Sequence, residues 1–203
     1  MSDGVFKEMH TMKRRWILFV SIVLFQTILM GCVSKTAQLP EECLAVNMLI
    51  NGDDISAFNS ESEGLSPIPD DQANSAINTF IAGSGIATHR LALYDGCGEE
   101  MYHKTLEFRF RVEKEDETWE LPDINFKSNN ADEFEYACIT RRYGVENISE
   151  EVKCEYVGRY QDYVVVLWMI TDPGDFDLDD FTSGMAAIDR EVAECFAALK
   201  EDR

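Results

Sequence analysis

An unbroken apolar run, residues 163–170, constrains the fold more than any other feature of the chain; it reads YVVVLWMI. β-Branched and aromatic residues favour strands, and a run of this length without a polar residue is typical of a strand buried on both faces. We therefore predict that this run is the central strand of a sheet. Two further strands, residues 134–142 and 151–160, are predicted before it.

The two preceding strands are predicted to form a hairpin around residues 143–149. A turn centred on Glu146 places Cys138 directly opposite Cys154. Opposed side chains approach to about 4.5–5.5 Å between Cβ atoms, which is close to the distance that a disulfide needs. Cys138 and Cys154 are therefore the candidate disulfide pair.

The start of the chain has the composition of a secretory signal. Three basic residues, Lys13, Arg14 and Arg15, precede an apolar run over residues 16–30. This run is shorter than the roughly 20 apolar residues that a membrane-spanning helix needs, although an uncleaved anchor stays the alternative. A start at Met12 gives a more ordinary signal, because the acidic residues Asp3 and Glu8 do not suit a basic leader.

The apolar run ends in Leu29-Met30-Gly31-Cys32, which resembles the lipobox of bacterial lipoproteins. The resemblance implies a signal peptide over residues 1–31, a lipidated Cys32 and a tether that ends at residue 39. Two or more acyl chains give stable membrane anchoring. In lipoproteins of Gram-negative bacteria, Val33 rather than Asp after the cysteine implies the outer membrane. The expected location is therefore the cell envelope, with the protein facing the periplasm.

The charge of the chain is strongly one-sided, with 38 acidic and 18 basic residues and a net charge of −20. Nucleic-acid binding is not expected, because basic residues must displace the counterions of the phosphates. Electrostatic adhesion to anionic lipid is not expected either. Such a charge favours solubility or a basic protein partner.

Five cysteines follow Cys32, and in an exported protein they are first interpreted as disulfide partners. The pairing of Cys43, Cys97 and Cys195 stays open. Since five is odd, at most two internal bridges and one left-over thiol are expected, and Cys195 suits a buried free thiol on a helix face as well as a bridge. The chain has no CxxC motif, so thioredoxin-like redox chemistry is not indicated.

The remaining pattern predicts an α+β fold in one domain over residues 40–203. It has a single antiparallel sheet of about five or six strands, with two N-terminal helices and one C-terminal helix packed on it. The predicted helices cover residues 40–50, residues 70–82 and the chain after residue 180. The additional predicted strands are residues 86–94 and 102–112, joined as a hairpin by Asp95-Gly96-Cys97-Gly98, and an edge segment over residues 119–126.

An acidic loop before the last helix is the candidate metal site. Alternating carboxylates can supply several of the six to eight oxygens that calcium takes; here they are Asp172, Asp175, Asp177 and Asp179. The EF-hand pattern is not present, and acids at this position also cap helices. Capping is the favoured interpretation, and no cofactor is expected.

His89 and His103 are the histidines of the predicted domain, and the two strands of the predicted hairpin could bring them together. Two histidines without a third ligand at metal spacing favour exposed strand histidines over a metal site. The motifs of serine hydrolases and zinc proteases are not found, and no catalytic residue is assigned.

These observations favour a lipid-anchored envelope protein of non-enzymatic, binding or structural type. The first alternative is an immunity or inhibitor lipoprotein that neutralises a basic toxin or enzyme through its acidic surface. The second alternative is an envelope hydrolase, which a pocket that holds His89 or His103 beside a carboxylate or thiol would favour.

Overall fold

One antiparallel sheet forms the middle layer of the fold, and each of its two faces contacts a helix. The computed structural model describes residues 39–55, 65–69, 74–82, 85–111, 118–143, 149–173 and 177–201, all within the unit Ser34–Arg203. The strands follow the spatial order β1-β2-β3-β6-β5-β4. Their bounds are β1 Leu65–Pro69, β2 Ser75–Ala82, β3 Gly85–Leu93, β4 Glu133–Tyr143, β5 Ser149–Tyr160 and β6 Tyr163–Thr171. The α+β class with a single antiparallel sheet is confirmed.

The predicted central strand is β6, which lies between β3 and β5. Its residues are almost all buried, because an α-helix lies over each face of the sheet along this strand. The hairpin of β4 and β5 has the register that the spacing predicts, with Cys138 opposite Cys154. The patterns of these strands therefore specified both their positions and their register.

Helix α2, Leu178–Glu201, covers the first face of the sheet. The C-terminal helix is confirmed, and its residues at core spacing are buried: Phe181, Met185, Ile188, Val192 and Cys195. They pack on alternate residues of the strands, such as Leu91, Tyr156 and Leu167. The main core of the protein thus lies between α2 and the sheet.

The two predicted N-terminal helices are wrong. Residues 40–50 contain only the 3₁₀ turn Glu41–Cys43, and the rest is an irregular segment that enters the core, with Cys43, Met48 and Ile50 almost fully buried. A hydrogen bond to a distant residue interrupts the helical pattern here, since the Ala45 amide donates to Asn74 Oδ1 at 2.7 Å. Tertiary contacts of this kind override local helix signals.

The second predicted helix is instead strand β2, Ser75–Ala82; residues 70–73 of that prediction lie outside the described segments. The apolar residues of this stretch suit either period, but Ile77, Thr79 and Ile81 are β-branched and favour a strand. Pairing with β1 on one side and β3 on the other decides in favour of the strand.

The predicted strand over residues 102–112 is also wrong, because Gly98–Arg109 forms helix α1. The hairpin partner of β3 is therefore β2. Glu99 and Glu100 in the first turn and Arg109 in the last turn suit the helix dipole. Helix α1 lies over β5 and β6 on the second face of the sheet.

Gly98 fixes the start of α1 against the turn between β5 and β6. A Cβ atom at this position would lie 2.6 Å from Asp162 Cα, closer than van der Waals contact allows. The Gly98 amide donates to Asp162 Oδ1 at 3.3 Å. Only glycine allows this approach, which sets how the rest of α1 lies over the sheet.

The predicted edge segment over residues 119–126 is extended but forms no strand of its own. Its backbone pairing with β4 is a single bridge, with Glu120 N donating to Cys138 O at 2.8 Å and Cys138 N donating to Glu120 O at 2.9 Å. Pro122 removes a donor two residues later, which limits further pairing.

Candidate functional site: a basic groove beside helix α1

One side of α1 forms the wall of a groove. The residues that line it recur at the spacing of a single helix face: Met101, Lys104, Thr105, Phe108 and Arg109. Three of them are uncharged, and the two cations stand at the middle and the end of the helix. The wall therefore combines apolar surface with positive charge.

The floor of the groove comes from β3 and β6, which pair in antiparallel register. Ala92 lies opposite Val164, and Arg90 lies opposite Val166. Side chains of a strand alternate between faces, so these four residues share the face that α1 covers. With Tyr94 they line one side of an open groove of about 210 Å³ between the helix and the sheet.

The charge of this groove is opposite to that of the chain. Arg90, Lys104 and Arg109 line it, and no carboxylate of the described residues does so, although the chain has a net charge of −20. Lys104 Nζ donates to Glu100 Oε1 at 2.6 Å, and this bond lowers the pKa of Glu100. The charged side chains that line the groove are thus all cations, and Lys104 has its carboxylate partner outside the lining.

A buried carboxylate holds one of the cations from below. Glu155 on β5 is fully buried, and Arg109 Nε lies 3.9 Å from its Oε2 atom, while Lys153 forms an ion pair with Oε1. Lys153 also lies over the ring of Trp119, 5.6 Å from its centroid. A buried charge needs such partners to offset its desolvation, so Glu155 fixes where Arg109 and Lys153 lie.

His89 and His103 do not meet, so their predicted proximity is wrong. His89 lies on β3 in the core between the sheet and α2, where Nδ1 accepts a hydrogen bond from the Ile50 amide at 3.2 Å. Burial lowers the pKa of His89 to about 3, and Asp54 acts weakly in the opposite direction. His89 is therefore a neutral core residue. His103 is exposed on α1, which moves it away from the sheet.

The buried histidine has a polar neighbour on the adjacent strand. Asn78 lies opposite His89 in the pairing of β2 and β3, and its Nδ2 atom donates to Ile50 O at 3.1 Å. His89 Nε2 and Asn78 Oδ1 are buried and have no hydrogen-bond partner among the described residues. Both side chains thus hold the backbone of Ile50, which ties the irregular N-terminal segment to the sheet.

A second, open cleft of about 510 Å³ lies at the start of α1 and includes His103. Glu99, Glu100, Asp162 and Arg159 also line it. Within the described segments, the contact of His103 is with the ring of Tyr102, at 5.4 Å between centroids. A general base needs a nucleophile or an orienting carboxylate within hydrogen-bond reach, and His103 has neither here.

The acidic loop before α2 caps the helix. Asp177 Oδ1 accepts a hydrogen bond from the Asp179 amide at 2.8 Å, which is the N-cap geometry. Asp172 is exposed, and Asp175 lies outside the described residues. No group of three or more His, Cys, Asp or Glu side chains in the described part of the chain is placed to hold a metal ion.

Two disulfides are found among the described residues. Cys138 pairs with Cys154 across the hairpin, with 4.0 Å between Cα atoms. Cys43 pairs with Cys195 at 4.8 Å between Cα atoms and joins the N-terminal segment to α2. Of the two alternatives for Cys195, the bridge is therefore confirmed and the free thiol is wrong. No described cysteine is free, so the expectation of one left-over thiol is wrong as well.

The sequence reasoning missed all three cations of the groove. The signal that could have found them is the helix-start pattern at Gly98-Glu99-Glu100, with acids in the first turn. A helix from this point places Lys104 and Arg109 on the same side as Met101, whereas a strand places Lys104 on the face opposite to the other two.

Comparisons with protein families, curated proteins and solved structures find no match to this chain. The lipobox residues Leu29–Cys32 lie outside the described part of the structure. No helix within the described segments is long and apolar enough to cross a membrane. The groove and the sequence features are therefore the observations that bear on the function.

Proposed function

We propose that this chain is a lipid-anchored protein of the bacterial cell envelope that binds another molecule without transforming it, and that the basic groove is its binding site. The observation that carries the proposal is the lining of the groove by Arg90, Lys104 and Arg109 in a chain of net charge −20. A strongly acidic protein repels anions, and a local concentration of cations over an apolar floor is typical of a ligand site.

The lipid anchor is supported by the sequence. Leu29-Met30-Gly31-Cys32 supplies the lipobox, and the basic and apolar residues before it supply the signal. The disulfides Cys43–Cys195 and Cys138–Cys154 agree with an oxidising compartment such as the periplasm. The anchored state places the binding body at a membrane surface, and outer-membrane sorting follows from Val33.

Capture of a basic protein is the second candidate. The cleft at the start of α1 favours it, since Glu99 and Glu100 are exposed and Asp162 lies beside them. Arg159 in the same cleft offsets part of this charge. An inhibitor that acts through this cleft would depend strongly on salt, because exposed charges are screened beyond about 10 Å at 0.1 M.

The anchor is tested by expressing the full chain in a Gram-negative host that is fed an alkyne analogue of palmitate. We expect label on the wild type, none on Cys32→Ser and unchanged label on a control variant, Ser34→Ala. Palmitate label that is undiminished on Cys32→Ser would refute the anchor.

Binding is tested by capture from envelope extracts with the full chain immobilised at low and high salt. An acidic or anionic ligand retained by the wild type and lost from Lys104→Glu supports the groove. A basic protein that is lost at high salt, and whose capture is abolished by Glu99→Lys, supports the second candidate instead. Capture that neither variant changes contradicts both sites.

A further inference from the structure

We propose that the basic groove binds a small amphipathic carboxylate, with its head group at the cations and its apolar part against the wall of α1. This inference rests on the proposed binding function and specifies the chemical class of the ligand.

The size of the groove limits the ligand. Pockets for drug-sized molecules measure about 300–1,000 Å³, whereas this groove is about 210 Å³. A short acyl chain or a single aromatic group fits such a volume. A nucleotide or a folded protein segment does not.

The cations define the head group. Arg109 has a side chain that is only 21% exposed, and Glu155 holds it in place from below. A positioned guanidinium recognises a planar carboxylate through two parallel N–H donors. Lys104 is 60% exposed at the rim of the groove, where its ammonium can reach an incoming anion.

The apolar surface of the groove requires more than a bare anion. Phe108 is 74% exposed beside the cations. Met101 lies on the same side of α1, and Ala92, Val164 and Val166 form the floor. An inorganic anion would leave the Phe108 ring in water, whereas an acyl chain of a few carbons covers it. Charge and apolar surface together therefore indicate an amphipathic carboxylate.

The test uses the purified full chain in a non-ionic detergent, with methionine methyl groups labelled with ¹³C for NMR. Met101 lines the groove, and Met169 and Met185 in the core serve as internal references. The probes are octanoate, octanol and inorganic phosphate, and the Met101→Leu variant assigns the reporting signal.

We expect octanoate to shift the Met101 signal in a saturable way with a Kd on the order of 1 mM, which is ordinary for a ligand of about ten non-hydrogen atoms. Octanol and phosphate should each bind at least about tenfold more weakly. Lys104→Gln should weaken octanoate binding about three- to tenfold. The control Lys127→Gln, an exposed lysine outside the groove, should change it less than twofold.

Three results overturn the inference. Equal binding of octanol shows that the cations do not select the ligand, and equal binding of phosphate shows that the apolar wall takes no part. No saturable shift of Met101 with any probe removes the groove as a site for this class. Palmitate labelling and envelope capture report separately on the proposed function, so a failed ligand class is distinguishable from a failed binding role.

Discussion

Acid should lower the unfolding free energy of this protein through His89, and substitution of His89 should remove that contribution. His89 is fully buried, and its Nδ1 atom accepts the Ile50 amide, so the imidazole is held neutral. Burial lowers its pKa to about 3 in the folded protein, from an ordinary value of 6.5. The folded state therefore excludes a proton that the unfolded state binds over this pH range.

The sign of the effect follows from proton linkage. The unfolded chain binds more protons between pH 6.5 and pH 3, so the free energy of unfolding falls as the pH is lowered. The stabilisation by neutral His89 is complete above pH 6.5 and is lost as the pH falls towards 3. The slope is at most about 1.4 kcal/mol per pH unit, and the full loss is about 5 kcal/mol.

The substitution that tests this is His89→Gln. The glutamine amide oxygen can accept the hydrogen bond from the Ile50 amide, and the glutamine side chain does not titrate. Loss of ring packing should cost about 1–3 kcal/mol at pH 7. At pH 4 the wild type has lost about 3 kcal/mol through His89 and the variant has not. The two curves of unfolding free energy against pH should therefore converge or cross between pH 7 and pH 4.

The assay is urea unfolding followed by circular dichroism at intervals of half a pH unit, with disulfides intact. The carboxylates of the chain titrate in both proteins, so the difference between the two curves isolates His89. His103→Gln, on the exposed side of α1, is the matched control for the replacement of an imidazole by an amide. Parallel curves for His89→Gln would refute the argument, because they would show that His89 binds a proton equally in the folded and unfolded states.

The remaining predictions concern the disulfides and the buried charge. A double alanine variant that removes the Cys43–Cys195 bridge should lower the unfolding free energy by about 5 kcal/mol. The same change at Cys138–Cys154 should lower it by about 3 kcal/mol. The first bridge closes a loop of 152 residues and the second a loop of 16, and a longer loop loses more entropy on closure. Urea unfolding at pH 7 measures both, and the opposite order would contradict the loop-entropy argument. Glu155→Ala should lower the unfolding free energy by about 2–3 kcal/mol, since it leaves two half-buried cations without their partner. The control Glu150→Ala breaks an exposed ion pair with Arg142 and should cost less than about 1 kcal/mol; equal losses would show that burial does not set the cost.

Local pattern was sufficient where an element contacts the core along its whole length. The run YVVVLWMI became β6, and the spacing of Cys138 and Cys154 gave the register of β4 and β5. The large apolar residues of α2 face the core together, so its period is unambiguous. In these segments local preference and burial favour the same structure.

Pattern failed where the stabilising contacts come from distant parts of the chain. Residues 40–50 have helix signals, but the Cys43–Cys195 bridge and the hydrogen bond from the Ile50 amide to His89 draw the segment into the core. The partners lie 152 and 39 residues away along the chain. No window of local sequence contains them, so propensity could not predict this path.

Helix α1 is the case in which a wrong period also hid the candidate site. Leu106, Phe108 and Phe110 alternate with charged residues, which predicts a strand with one apolar face. In the structure, Leu106 on α1 and Phe110, the C-cap residue of α1, lie four residues apart and pack towards the sheet. Phe108 turns to the solvent beside Lys104 and Arg109. A strand would have buried Phe108 with Leu106 and Phe110, and would have placed Lys104 among the apolar positions. The exposed Phe108 is not explained by an alternating pattern, but it is part of a groove beside a helix.

Phe108→Ala should weaken octanoate binding about three- to tenfold. It should lower the unfolding free energy by no more than about 0.5 kcal/mol. A loss of more than about 0.5 kcal/mol with unchanged octanoate binding would show that Phe108 stabilises the fold and takes no part in the site.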